Sequence, residues 1–397
     1  MSRIAFLLPP LLSTQRSSWE QGIASQALLE TYTQHTLPSD HGLPDLLPYL
    51  HGFVHDAIVR QADDGRLAVA LNGDGTSDPG AADPTCIGET LYYLLRKFPT
   101  EVDFNRLISA VERMLDYVLK TCPRAVVEQI VNRNPSQDDL LLSHRIDALQ
   151  IWSDTVYMLP PFLAAAAVYY TQHPNPQYDP PSLLRMAIQQ VILAATALQS
   201  SDGEWSHIYD LTERKFQRKG FWGVGNGWVC GGIIRIFRTL VSSLLPGNEQ
   251  LKDILLNTEV ADRLKRCYDL LTHTLKACLH HIRPDGLFHD VLDDPSSFVE
   301  TNLSQQLSYS LYRLLHLHLH TPPHIRDALH LPDVSKEQTD RWAALAGQLR
   351  EAAIKKTDTL GFVRDVCGSP TFDKPGTAAE GQAWAILMEV ARLDWEY

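Results

Sequence analysis

The chain has 397 residues, 44% of them hydrophobic, which is ample for a large core, and 35 basic against 47 acidic residues give a net charge of −12. No stripe of lysine or arginine interrupts that acidic balance, which argues against nucleic acid as a partner. Any anionic substrate must be held by local groups, because long-range steering would repel it.

Residues 1–17 are expected to form an N-terminal extension. Its "IAFLLPPLL" has the length of a signal-peptide core, but only Arg3 precedes it, a proline pair interrupts it, and no small-residue cleavage pattern follows. A cytoplasmic start is expected, with secretion as the alternative. From Ser18 onward helical periodicity dominates, and helices are expected over 18–35, 44–61, 86–98, 103–121, 146–172, 182–199, 225–244, 251–281, 298–319, 336–356 and 378–394. Loops rich in Pro, Gly, Asn and Asp separate them. No run alternates as a strand would, and no apolar run looks long and uninterrupted enough to span a membrane. The spacing predicts an all-α chain with a single domain over 18–397, closed as six helical hairpins in an (α/α)6 barrel. An open α-solenoid is the competing layout. Long, unlike loops and the gathering of Trp and His near helix starts favour closure around one pocket mouth.

Taken in chain order, Asn72–Asp83 resembles a calcium loop but lacks Gly at the sixth place and Glu at the twelfth, so no metal site is expected there. The cysteines Cys86, Cys122, Cys230, Cys267, Cys278 and Cys367 show no CxxC spacing, which points to free buried thiols. In "SHRIDALQIWSDTVYM", Asp147 and Asp154 are seven apart and would share a helix face. A carboxyl beside Trp152 and Met158 loses solvation, so the pKa of Asp154 should rise, which suits a general acid at neutral pH. By spacing alone the rival reading is the stronger one, with Ser153 or Asp154 as a helix N-cap and Asp147 as a cap or surface ion pair.

Further on, His207 follows Trp205 in a polar loop. The glycines of "FWGVGNGWVCGG" make a turn into a helix, either to present backbone N–H groups to a ligand or to let helices pack closely. The pattern is not GxGxxG after a strand, and with no P-loop or HExxH present, no cofactor is implied. Trp222 and Trp228 would make a sugar-stacking surface. Asp293 and Asp294 look like turn residues, and Glu300 could cap the next helix. The sequon at Asn302 falls in an apolar-periodic segment and is not expected to be exposed. His316, His318 and His320 alternate, do not face one another on a helix, and suit a solvated helix end.

These segments occur together in a recognisable order: "WEQG" at Trp19, "DPTCIGETLYYL" at Asp83, "HR" at His144, "WSDTVYMLPPFLA" at Trp152, His207, "WGVGNGW" at Trp222, "DGLFHDVLDDP" at Asp285, "ETN" at Glu300 and "AEGQAWA" at Ala379. They resemble the unsaturated rhamnogalacturonyl hydrolases of glycoside hydrolase family 105 and, more distantly, the unsaturated glucuronyl hydrolases, from Trp19 to Glu389. The resemblance implies an (α/α)6 barrel that removes the Δ4,5-unsaturated uronic acid left by polysaccharide lyases at the non-reducing end of rhamnogalacturonan- or pectin-type oligosaccharides. One Asp protonates C4 of the C4=C5 bond, the same group helps water add at C5, and the hemiketal rearranges and opens the glycosidic bond.

The resemblance makes Asp154 the catalytic acid/base and Asp83 a second acidic residue that holds substrate or water. His144 and Arg145 resemble a His-Lys pair beside the sugar, with Arg for Lys and an offset one residue shorter. Trp152, Met158, His207, Trp222 and Trp228 would line the pocket, with Asn226 a further substrate-binding candidate. Val224 departs from the pattern, since bacterial members commonly carry Arg there; its loss removes a carboxylate clamp that Arg145 could replace, unless the substrate itself differs. The alternatives are a barrel enzyme redirected to a non-carbohydrate small molecule and a non-catalytic helical-repeat binding protein. Membrane partners are not implied, and the oligomeric state is left open.

Overall fold

The computed structural model describes residues 2–16, 18–34, 42–70, 77–127, 139–369 and 372–396. Its helices in chain order are α1 (Arg3–Thr14), α2 (Ser18–Tyr32), α3 (Leu47–Val59), α4 (Gly88–Lys97), α5 (Phe104–Asp116), α6 (Thr155–Gln172), α7 (Pro180–Leu198), α8 (Gly223–Leu244), α9 (Glu249–Leu255), α10 (Thr258–His280), α11 (Asn302–Leu319), α12 (Pro323–Ala328), α13 (Lys336–Ile354) and α14 (Ala379–Glu396). Helices α2, α4, α6, α8, α11 and α14 pack side by side in that order, and α14 returns to α2. The ring therefore closes, and the open solenoid is excluded.

The inner helices are apolar or small around most of their circumference because they are covered on both sides. In α6 every residue from Thr155 to Thr171 is buried. Helices α3, α5, α7, α10 and α13 each cover the inner helix that precedes them in the chain. The sixth outer place, against α14, is filled by α1, which buries Ile4, Leu7, Leu8 and Leu11 and carries Pro9 and Pro10 within it. Residues expected as an extension thus contribute a helix that packs on the last inner helix. This is the expected (α/α)6 barrel.

Some local expectations change. The helix expected over 146–172 begins only at Thr155, so Asp147 and Asp154 do not share a helix face. Seven short strands lie among the described residues: β1 (Arg124–Val126), β2 (Leu140–Leu142), β3 (Gln150–Trp152), β4 (Ile208–Asp210), β5 (Lys215–Arg218), β6 (Phe288–His289) and β7 (Val299–Glu300). At two to four residues each, they are too short to show a period of two in the sequence. Helix α7 is long and apolar enough to cross a membrane by length and composition, contrary to expectation, yet it is packed between α6 and α10. His318 is buried against the Tyr268 hydroxyl at 2.8 Å rather than solvated, and His316 and His320, one turn apart, do face one another, their rings stacking at 5.3 Å. The six cysteines are free and buried, and Asn302 is buried. The first five residues of the calcium-like loop, 72–76, lie outside the described residues.

Part-way down the barrel a group of ionised side chains ties inner helices together. Arg235 of α8 donates to Glu30 of α2 at 2.6 Å and to Glu89 of α4 at 2.7 Å. Arg313 of α11 bonds both Glu30 and Asp394 of α14, and the Tyr309 hydroxyl donates to Glu30 at 2.8 Å. Burial pushes the Glu30 carboxyl up, but Arg238, Arg313 and Arg235 outweigh it and hold it at about 2.

Helix α8 approaches α6 through glycine. A Cβ added at Gly232 would lie 2.2 Å from the Val156 carbonyl oxygen, whereas one at Gly347 in α13 meets nothing within 4 Å. Gly232→Ala should therefore force the two helices apart and cost roughly 1–3 kcal/mol or more. Gly347→Ala should gain about 0.5–1 kcal/mol from helix propensity alone. Thermal melting of the two variants checks the contrast.

Candidate active site

The 3-10 turn before α4 and the starts of α2, α6, α8 and α14 converge on a cavity of 530 Å³. Asp83 comes from the turn Asp83–Thr85, and Asp154 stands immediately before the first residue of α6. The strand β3 that leads into α6 pairs with β4, and β4 with β5, which places Trp152 opposite Ile208 and Ile208 opposite Arg218. Paired residues of neighbouring strands project from the same face of a sheet, and all three line the cavity.

Nine of the ten residues expected at the site line this cavity: Asp83, His144, Arg145, Trp152, Asp154, Met158, His207, Trp222 and Trp228. Asn226 does not. It is fully buried behind the wall, where its Oδ1 accepts from Trp205 N at 2.7 Å and its Nδ2 donates to the Trp205 and Trp222 carbonyls. Its amide holds the loop carrying His207 onto the start of α8 and has no donor left for a ligand. The glycines of the same segment serve packing: a Cβ at Gly225 would lie 2.4 Å from Ser153 Oγ. Val224 faces the cavity.

Asp154 does not act as a side-chain cap, which removes the rival reading of that residue. Its Oδ1 is buried and meets no hydrogen-bond partner among the described residues. Burial, with the neighbouring Asp83 charge adding to it, pushes its carboxyl up to about 7. Burial also pushes Asp83 up to about 7, against the lowering effects of Ser18 and Arg145. The two acids flank one imidazole: His144 Nε2 is 3.7 Å from Asp83 and Nδ1 is 3.9 Å from Asp154. Both distances exceed hydrogen-bond reach, and burial together with Arg145 holds His144 down at about 3. The imidazole is therefore neutral and forms no ion pair with either acid. Its Nδ1 meets the Thr155 hydroxyl at 2.8 Å.

An aromatic wall runs beside the acids. The His144 ring stacks on Trp152 at 4.3 Å, Trp152 meets His207 edge-on at 5.5 Å, and His207 lies 4.4 Å from Trp222. His207 is buried with neither ring nitrogen hydrogen-bonded among the described residues, and burial, Arg218 and His144 keep it neutral. Arg145 reaches the cavity, but its guanidinium grips Asp147 at 2.8 and 2.6 Å and Asp78 at 3.1 Å. Asp147 is thus an ion-pair partner in a turn.

The lining residues given no site role by the sequence include Trp19, Glu380, Cys367 and Arg218. Trp19 Nε1 donates to Glu380 at 2.7 Å, and burial pushes Glu380 up to about 7. Trp19 and Glu380 stood in two of the recurring segments. Arg218 lies at the end of a four-residue strand with no spacing signal to mark it. Glu300, expected to cap, accepts from Asn302 and Leu303 N at 2.7 and 2.8 Å. Among the described residues no cluster of His, Cys, Asp or Glu could hold a metal ion.

Comparison with known proteins agrees with this architecture. The family model described as Glycosyl Hydrolase Family 88 matches residues 10–320. No curated protein matches the chain. Among solved structures, one described as a possible member of glycoside hydrolase family 105 from Klebsiella pneumoniae is 15% identical, with a TM-score of 0.68 over 100% of this chain and 93% of the other. A family 105 glycoside hydrolase from C. acetobutylicum is 15% identical, with a TM-score of 0.64 over 100% and 99%. An unsaturated glucuronyl hydrolase from a Bacillus species is 12% identical, with a TM-score of 0.58 over 98% and 94%. At these identities the structural likenesses establish the shared fold.

The raised carboxyls have a consequence for stability. Asp154 titrates near 7 in the folded chain against an ordinary value of 3.8, so the folded state keeps a proton that the unfolded chain has released. The stability this contributes is complete below the ordinary pKa and is lost as pH rises through the folded one. Asparagine cannot ionise. The melting temperature of Asp154→Asn should therefore gain steadily on that of the wild type between about pH 4 and about pH 8. A pH-independent difference would contradict the raised pKa.

Proposed function

This chain belongs to glycosyl hydrolase family 88, and from that premise we propose that it removes a Δ4,5-unsaturated uronic acid from the non-reducing end of lyase-generated oligosaccharides, the unsaturated rhamnogalacturonan disaccharide of pectin being the simplest. The observation that carries the reading is Asp154: a largely enclosed carboxyl, 14% exposed, whose Oδ1 is buried and unpartnered among the described residues, protonated up to about pH 7. A vinyl ether needs a proton delivered to carbon, and a neutral carboxylic acid near the working pH is suited to giving it.

In this reading Asp154 protonates C4 of the C4=C5 bond, and the resulting cation at C5 is shared with the ring oxygen. The Asp154 carboxylate then accepts a proton from water as the oxygen bonds to C5. The C5 hemiketal opens to the ketone, and C1 releases the remaining sugar as an alcohol. One group gives and then regains a proton, which differs from glycosidases that divide the two tasks between carboxyls on either side of the bond. Asp83 would hold the water or a sugar hydroxyl. Neutral His144 and His207 offer ring nitrogens to hydroxyls, and Trp152, Trp222 and Trp228 would form an apolar wall beside the sugar. The starts of α2, α6, α8 and α14 all meet the cavity, and the positive ends of helix dipoles favour an anionic substrate.

The test is the loss of ultraviolet absorbance of the unsaturated uronate when the protein is incubated with lyase-treated rhamnogalacturonan and pectin. Wild-type protein should bleach at least one digest. Asp154→Asn should fold and lower kcat by about 10²–10⁴-fold. Inactivity on every lyase product would contradict the reading. The wild-type rate should also fall as pH rises through about 7, where Asp154 loses its proton; a rate still rising there would contradict its role as the acid.

A further inference from the structure

If the substrate carries a uronate, as proposed above, its carboxylate needs a cation in a cavity whose own acids sit close by. Among the described residues, two guanidiniums line that cavity, those of Arg145 and Arg218. Arg145 is already occupied by Asp147 and Asp78. The two lining imidazoles are neutral. Val224 presents an uncharged isopropyl group to the cavity.

Arg218 is placed differently. It ends β5, and the register Trp152–Ile208–Arg218 carries it across the small sheet onto the row that faces the cavity. The His207 backbone N–H donates to the Arg218 carbonyl at 3.2 Å, which fixes this strand end beside the aromatic wall. The guanidinium lies 5.6 Å over the Trp222 ring. The carboxylate nearest to it among the described ion pairs is Asp290 at 3.9 Å, too far for a hydrogen bond. Asp290 is itself engaged by Trp222 Nε1 at 3.2 Å. The Arg218 side chain keeps 37% of its surface exposed, so its donors are free to meet an incoming anion while the aromatic face beneath limits its rotation.

We propose that Arg218, placed beside the face of Trp222, is the residue that binds the substrate carboxylate and so selects uronates over neutral sugars. The assignment rests on the uronate reading and adds a residue to it. A planar guanidinium pairs with a carboxylate through two parallel hydrogen bonds. Such a pair would fix the orientation of C5, and with it the neighbouring double bond, relative to Asp154.

The experiment compares an unsaturated uronosyl disaccharide with its methyl ester, in wild type, Arg218→Gln and Arg218→Lys. Wild type should prefer the acid. Arg218→Gln should raise KM for the acid by roughly 10- to 100-fold, with a much smaller effect on the ester. Arg218→Lys should recover part of the preference, since it keeps the charge and loses the fork. Ester turnover reports that each variant is folded, and a merely structural role over Trp222 would slow both substrates alike. Wild-type turnover with an unchanged acid-to-ester ratio in Arg218→Gln overturns this assignment alone. Wild type inactive on both compounds overturns the uronate reading, and the assignment with it.

Discussion

The closed ring of inner helices keeps water from the carboxyl groups it encloses, and the fate of each then depends on whether a guanidinium is supplied. Glu30 receives Arg235, Arg313 and Arg238 and stays ionised, held at about 2. Asp154 and Asp83 receive none at bonding distance and are pushed up to about 7. Glu380, bonded by an indole N–H, is also pushed up to about 7. An enclosed carboxylate without a partner is costly, so it holds its proton instead. The same barrel thus contains a structural anion along its length and a set of neutral acids at one mouth. The first ties inner helices together, and the second leaves protons available for transfer.

Placement of those acids follows from how the inner helices begin. The chain reaches α4 through a tight turn and α6 through β3, and these entries put Asp83 and Asp154 on either side of His144. The three-stranded sheet β3–β4–β5 then sets Trp152 and Arg218 on one cavity-facing row. Close approach of α8 to Ser153 at Gly225 and to α6 at Gly232 brings Trp222 and Trp228 to the same cavity. Asn226, used wholly for backbone bonds, keeps that junction rigid. Support for the chemistry therefore comes from backbone pairing and helix packing, with few flexible side chains involved.

The barrel was legible because buried inner helices and their outer covers each leave a helical period. The first outer helix escaped notice because its apolar run and Pro9-Pro10 pair look like an interrupted leader; only packing against α14, at the far end of the chain, gives it a place. The strand β3 was hidden because Ile151 and Trp152 extend the apolar pattern of α6, which also misplaced Asp147 on the face of Asp154. The site was legible where recurring segments carried it, as with Asp83, Asp154 and the tryptophans. Asn226 sat in such a segment for a structural reason. Arg218 was invisible because its role depends on a register between three strands distant in sequence.

Asp154 keeps its proton up to about pH 7 because the barrel mouth encloses it without a cation. The most direct measurement is a pH titration of the carboxyl carbon signals of protein labelled at aspartate, with the Asp154 resonance identified by its loss in Asp154→Asn. This resonance should shift with a midpoint of about 7, coupled to that of Asp83. A midpoint at the ordinary aspartate value of 3.8 would contradict it.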